Sequence, residues 1–152
     1  MDNVLDLKNH PELLPQYVDL RNRYCELLLT QPVEIAETIQ WMHETTTEIW
    51  AIAEDNCIHG VLLLYISRGG EIAFFATQKN RGTGTKLLHL ADQIAQKKKL
   101  ASIWAWVRKD NPIAANVFKK CGYSESGDED RTFRDQRIKG TRFIKNIMEK
   151  MI

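Results

Sequence analysis

Cysteine is scarce in this chain, and the three present, Cys25, Cys57 and Cys121, are scattered. An odd count at irregular spacing argues against a disulfide framework. There is no Cys-x-x-Cys pair and no His/Cys cluster of the kind that holds zinc. The four histidines, His10, His43, His59 and His89, are far apart, so no metal is expected. No apolar run reaches the roughly 18 residues that a membrane span needs, so no membrane partner is expected. The start, MDNVLDLKNHPELL, is acidic and lacks a basic-then-apolar leader. No export is expected, and the reading is of a cytoplasmic protein. Internal repeats and low-complexity segments are also missing.

What is present fits one domain over residues 1–152. A chain of this length buries about 68–70% of its unfolded surface, enough for a core without staples. The 21 basic and 20 acidic side chains nearly balance, at +1 overall, but they are unevenly placed. Residues 1–60 carry 3 basic and 11 acidic residues, a sum of −8; residues 61–152 carry 18 and 9, a sum of +9. A basic second half suits a polyanionic ligand, or is simply a solvated surface. No aromatic-plus-basic signature of nucleic-acid binding accompanies it, so no nucleic-acid partner is expected.

Hydrophobic periodicity predicts helices over 11–29 and 33–43, the second with Ile35, Ile39 and Met42 on one side. Residues 4–7 read as a short first strand. Strands follow over 48–54, 58–66 and 71–77, with turn signals at Asp55-Asn56 and Arg68-Gly69-Gly70 between them. A long helix begins after residue 84 and a strand covers 101–107. Asn111-Pro112 opens another helix, because Asn caps well and Pro fits the first helical position. Its inner face is expected to be Ile113, Ala114, Val117 and Phe118, and Gly122 is a natural stop. Residues 123–126 and 141–147 read as late strands separated by a polar loop. The order predicts a mixed α/β sheet domain. Trp104 and Trp106 fall on one face of their strand, read as core, with stacking on a sugar or base as the alternative.

The most informative stretch is Lys79-Asn80-Arg81-Gly82-Thr83-Gly84-Thr85-Lys86, between a strand and a helix. Free N–H groups at a helix start, backbone open at two glycines and nearby cations suit a phosphate. The segment is not a Walker A loop, since Thr85 precedes Lys86 and Leu87 follows. It is not a dinucleotide loop either, since the third glycine position is Leu87.

The segment resembles the pyrophosphate loop of the GNAT superfamily of acyl-CoA-dependent N-acetyltransferases, Gln/Arg-x-x-Gly-x-Gly/Ala, with Lys79 in the first position. A second resemblance starts 29 residues beyond Gly82. There, Asn111, Ala114, Phe118, Gly122 and Tyr123 match the family's Asn-x-x-Ala-x-x-x-Tyr/Phe-x-x-x-Gly-Phe/Tyr. The resemblance implies a central, mostly antiparallel sheet flanked by helices, with two strands splayed around acetyl-CoA. It implies that the segment Lys79, Asn80, Arg81, Gly82, Thr83, Gly84 and Thr85 holds the diphosphate. Phe75, Ala76 and Thr77 would pair with the pantetheine arm, and Asn111 and Phe118 would complete the cofactor site. An N–H near Phe75 and Ala76 would serve the oxyanion.

The same resemblance makes Glu71 the candidate base, with a solvated Glu beside a turn as the alternative. Phe118 stands where many relatives have the Tyr that protonates the thiolate. Tyr123, Cys121 or water would then supply the proton, or none would. The acceptor is expected to be a small-molecule amine. In part the chain is similar to sugar-nucleotide amine N-acetyltransferases of the pseudaminic-acid-pathway type, which places Arg21, Asn22, Trp41 and His43 as candidate acceptor contacts. Protein acetylation and CoA binding without turnover are the rival readings. The basic tail 131–145 completes the sheet, covers the 3′-phosphate or builds a homodimer.

Overall fold

The computed structural model describes residues 3–24, 35–44, 47–77 and 82–147. The first strand, β1 (Asn3–Asp6), runs antiparallel to β2 (Thr47–Glu54), which pairs in turn with β3 (Cys57–Tyr65). Asp55 and Asn56 close the β2–β3 hairpin at φ of 51° and 62°, the left-handed pair that a tight hairpin needs. The hairpin continues into β4 (Glu71–Ala76), again antiparallel, through a 3-10 turn at Ile66–Arg68 and the two positive-φ glycines Gly69 and Gly70.

Helix α1 (Leu14–Arg23) starts later than predicted, because Pro11–Leu13 is a 3-10 turn, and the predicted stretch 25–29 lies outside the described residues. It lies on one face of the sheet and buries Leu14, Tyr17, Val18 and Leu20 against Ile49, Val61, Leu63 and Phe75. Gln16 ties it to the β2–β3 turn: its amide donates to Asn56 O at 2.9 Å and its oxygen accepts from Ile58 N–H at 2.5 Å. Helix α2 (Ile35–Glu44) packs beside it. In α2 Thr38 is buried, and Ile39, one of the three apolar residues expected on one side, is 40% exposed. Ile35 and Met42 side chains lie outside the described set.

The opposite face carries α3 (Thr83–Lys97) and α4 (Pro112–Lys120). Leu87, Leu88, Ala91, Ile94 and Ala95 of α3 and Phe118 of α4 join Leu62, Leu64, Ile72, Ile103 and Ala105 in one core. At α4 the expected inner residue Ile113 is 75% exposed; it lies in the first turn, beyond the edge of that core. The α3 crossover makes β5 (Ser102–Arg108) parallel to β4, and the two pair at a single rung, Glu71 with Trp104.

Beyond β5 the chain builds β6 (Ser124–Asp128), a hairpin of β7 (Arg131–Phe133) and β8 (Gln136–Ile138), and β9 (Gly140–Asn146). Strand β9 inserts between β5 and β6, giving the sheet order β1-β2-β3-β4-β5-β9-β6. Of the three roles open to the basic tail, completing the sheet is therefore the one taken by residues 140–146. The β7–β8 hairpin is a separate two-stranded sheet in a stretch expected to be only a polar loop.

Lys145 on β9 is 6% exposed and pairs with Asp92 of α3 at 2.6 Å, while also donating to Cys121 O at 2.7 Å. A buried cation so satisfied ties the last long strand to the helix behind it. Cys57 and Cys121 are free thiols.

Candidate active site

Past their single rung, β4 and β5 diverge. The fork opens a cleft of about 920 Å³, walled by residues 71–77 on one side and 105–108 on the other. Residues 82–85 and 113–118 form its far end. The expected splay of two strands is therefore present. Residues 79–81, including the predicted Lys79, Asn80 and Arg81, lie outside the described residues.

The alternation of β4 decides what it offers the cleft. Thr77 N–H donates to His59 O at 2.8 Å, and Trp104 N–H donates to Gly70 O at 3.1 Å. With the β3–β4 register, this turns the N–H and C=O of Phe75 toward β3, and those of Phe74 and Ala76 toward the fork. The expected backbone edge is thus Phe74 and Ala76. Phe75 borders the cleft, but its ring is buried and stacks on Tyr24 with centroids 4.8 Å apart. Tyr24 Oη in turn donates to Ala76 O at 3.2 Å. Thr77 is held at the strand end by donating its hydroxyl to His59 O at 3.2 Å.

The far end is the start of α3. Gly82 is the N-cap at φ 70°, and no side chain caps the helix. Lys86 N–H donates to Gly82 O and closes the first helical turn, so the N–H groups of Thr83, Gly84 and Thr85 face outward at the positive end of the helix dipole. Among the described residues, nothing lies within 4 Å of where a Gly82 Cβ would stand. At Gly60 of β3 a Cβ would fall 2.6 Å from Thr83 Cγ2, so the bare glycine lets the first turn of α3 sit directly on the sheet. These residues fit a diphosphate followed by an extended arm with amide groups. Asn111 lines the cleft, but its Oδ1 accepts from Ala114 N–H at 3.2 Å and so caps α4.

Glu71 stands at the crotch of the fork and is 5% exposed. Its Oε1 accepts from Arg68 at 3.3 Å and its Oε2 from Arg131 at 2.8 Å. Arg68 lies over the Tyr65 ring at 4.3 Å. Arg131, from the β7–β8 hairpin, also donates to Glu129 at 3.2 Å and lies 4.8 Å from the Trp106 ring centroid. Arg142 covers Trp104 at 3.7 Å. Trp104 and Trp106 are half-buried under these guanidiniums rather than in the core, because arginines and not a helix cover that face. Each indole N–H donates to a carbonyl, Arg68 O at 3.0 Å and Glu129 O at 2.6 Å.

Tyr123 is not brought to the cleft. It is 4% exposed, packed edge-on against Phe118 with centroids 5.0 Å apart, and its hydroxyl has no partner among the described residues. Burial pushes its phenol well above the usual range. As proton donor to a leaving group in the cleft it is misplaced. Cys121, the other candidate, lies beside Thr85 and Lys145, its thiol also pushed up chiefly by burial. Phe118 borders the cleft from beneath. Arg21 lies near the Tyr17 and Tyr65 phenols, and neither Arg21 nor Asn22 is part of the cleft wall. Trp41 and His43 belong to α2 by backbone, and their side chains lie outside the described set. Sequence reasoning missed Arg68 and Arg131, although Arg68 belongs to the turn it identified. Among the described residues, no group of three His, Cys, Asp or Glu could hold a metal, and no helix is long and apolar enough to cross a membrane.

An open strand edge leading to a helix start with no side-chain cap among the described residues, and a buried carboxylate at the closed end, form a cleft whose shape fits an extended diphosphate-bearing molecule. The Acetyltransferase (GNAT) family model matches residues 14–123, and the chain belongs to that family. It is a GNAT-type N-acetyltransferase that uses acetyl-CoA. No curated protein matches by sequence. Among solved structures, it is similar to spermidine N-acetyltransferase from Vibrio cholerae in complex with CoA and spermine. That match has 17% identity and a TM-score of 0.81, over 99% of this chain and 98% of that one. A phosphinothricin acetyltransferase from Sinorhizobium meliloti with acetyl-CoA matches at 11% identity and TM-score 0.80, over 96% and 88%. Ribosomal-protein-alanine N-acetyltransferase from Brucella melitensis matches at 14% and 0.79, over 96% and 99%. Likeness at these identities carries the fold and not the acceptor.

Proposed function

We propose that the chain acetylates a primary amine on a small molecule, with Glu71 as the group that takes the amine's proton. The observation that carries this reading is the placement of one buried carboxylate at the crotch of the fork. Acetyl-CoA, when bound, supplies the activated acetyl group. The N–H groups of Thr83, Gly84 and Thr85 would hold its diphosphate, and Phe74 and Ala76 would pair with its arm. Ala76 or Phe74 N–H would donate to the thioester oxygen as charge builds there, the arrangement that helps acyl transfer most.

Glu71 uses one acceptor site on each oxygen for Arg68 and Arg131, and each oxygen has a second for an ammonium N–H. Neither Phe118 nor the buried Tyr123 is placed to protonate the thiolate, which leaves with solvent as proton source. A thiolate is stable enough to do so. A nucleotide-linked amino sugar remains the more specific acceptor.

The experiment is a thermal-shift titration with acetyl-CoA, CoA, ATP and NAD, followed by acceptor-dependent release of CoA thiol. A shift with both CoA species alone, and turnover with small amines above peptides, is expected. Peptide amines turned over better than small ones would reverse the acceptor assignment.

A further inference from the structure

The acceptor end of the cleft carries more positive than negative charge. Glu71 is the one carboxylate among the described lining residues, and two guanidiniums, Arg68 and Arg131, converge on it. Glu129 and Arg142 extend the cluster by one charge of each sign, so the surplus stays at +1. The surplus is not placed for the cofactor's diphosphate. Glu71 and Ala76 are separated by five residues of strand, about 17 Å, and the uncapped helix start lies beyond Ala76. The two arginines therefore flank the reacting amine and not the loop.

Both arginines keep donors in hand. Among the described residues Arg68 gives one N–H contact to Glu71, and its side chain is 58% exposed. Arg131 gives one to Glu71 and one to Glu129, at 29% exposure. A guanidinium has five N–H groups in a planar fork suited to a carboxylate or phosphate.

Resting on the acetyltransfer reading above, we propose that the acceptor amine belongs to a molecule that also bears an anion, a carboxylate or a phosphate, and that Arg68 and Arg131 hold it. The ammonium meets Glu71 while the anion takes the free edges of the two guanidiniums. A polyamine has no such anion and brings further positive charge into a cationic end. This sets the chain apart from its Vibrio cholerae neighbour, a spermidine N-acetyltransferase solved with spermine bound.

The test uses four amines of similar length: butylamine, 1,4-diaminobutane, 4-aminobutanoate and 3-aminopropyl phosphate. CoA-thiol release is read with each, and a CoA thermal shift is run in parallel. The two anionic amines should exceed the other two in kcat/KM by about 100-fold, the usual weight of a hydrogen-bonded charge pair. Their ratio to each other tells carboxylate from phosphate.

The largely exposed Arg68 can be changed without threatening the fold. Arg68→Gln should shrink the anionic-to-neutral preference at least tenfold, mainly through KM, and Arg68→Lys should restore part of it. A diamine or butylamine used as well as the anionic amines overturns the inference and leaves acetyltransfer standing. So does a normal CoA shift with no turnover of any of the four. A missing CoA shift overturns the acetyltransfer reading itself, and this inference with it.

Discussion

Gly82→Asp separates the demands of folding from those of the cofactor at one atom. Gly82 sits at φ 70°, and a Cβ there meets nothing within 4 Å among the described residues. Left-handed backbone costs an ordinary L-residue roughly 1–2 kcal/mol, with Asp at the low end because its side chain bonds locally. Against this, α3 has no acidic residue in its first turn and no side-chain cap, so a carboxylate at its start contributes about 0.3–1 kcal/mol. The two nearly cancel, and the melting temperature of the free protein should move by no more than about 4 °C.

CoA should respond quite differently. A carboxylate about 5 Å from one phosphate charge is repelled by about 3 kcal/mol at an effective dielectric of 20. Allowing for the exposure of this site leaves about 2–3 kcal/mol, or some 30- to 150-fold in affinity. At a CoA concentration of one hundred times the wild-type dissociation constant, the wild type gains about 2.7 kcal/mol. A variant weakened 100-fold gains only about 0.4 kcal/mol at that concentration. The assay is a thermal-shift titration of both proteins, with Gly82→Asn as the uncharged control that tolerates the same backbone. The Asp variant should lose most of the CoA shift, the Asn variant should keep most of it, and salt should narrow the gap. A well-folded Asp variant whose CoA affinity stays within threefold of wild type would refute the placement of the diphosphate at the start of α3.

The remaining predictions concern the rest of the site and its support. Glu71→Gln should lower kcat by about 10²–10⁴-fold with CoA affinity unchanged, since a base acts on the amine and not on the cofactor; near-normal turnover would remove its role. Tyr123→Phe should leave kcat within twofold and stabilise the fold by about 1 kcal/mol, because it deletes a buried hydroxyl that has no partner among the described residues. A large fall in kcat would restore Tyr123 as the acid. Burial raises the phenols of Tyr17, Tyr65 and Tyr123 in the folded state, so above about pH 10 the unfolded chain holds fewer protons than the native one. Stability should be full below that pH and fall by about 1.4 kcal/mol per pH unit per phenol above it, and the Phe variant should show a shallower decline in denaturant titrations. Lys145→Met should cost about 3–5 kcal/mol by stranding Asp92, whereas Lys145→Met with Asp92→Leu should recover most of the loss in the same titrations.

Local chemistry was legible where the chain decides it alone. Asp55-Asn56 reads as a turn because few other residues tolerate two left-handed positions in a row, and both take them. Asn111-Pro112 reads as a helix start, and the cap bond is there. The glycine loop reads as leading into a helix, and α3 begins there with Gly82 as its N-cap. Hairpin β7–β8 was hidden for the opposite reason. Its strands have three residues each, too short to show alternation, and its left-handed turn residues are Arg134 and Asp135, with no glycine or asparagine to mark it. Alternation put Trp104 and Trp106 on one face, but which partner covers that face is decided by Arg131 and Arg142, more than twenty residues later in the chain. Tyr123 reads as one candidate proton donor in place of Phe118. The positive φ of Gly122, 93°, instead precedes a residue folded beneath the helix.

The fork of β4 and β5 makes cofactor and acceptor separable problems for the chain. Even-numbered residues of β4 turn their side chains toward α3 and α4 and their backbone groups toward the cleft; odd-numbered ones turn their side chains toward α1 and the arginine-covered face. One six-residue strand thus presents main-chain bonding to whatever lies in the fork, and the Glu71 side chain to whatever approaches from the other face. Main-chain bonding needs no particular residue, which suits a fold shared with neighbours at 11–17% identity. The surroundings of Glu71 depend instead on side chains contributed by the turn before β4 and the hairpin after β6, namely Arg68 and Arg131. Those segments can change without disturbing the sheet, so a change of side chain there leaves the fold intact.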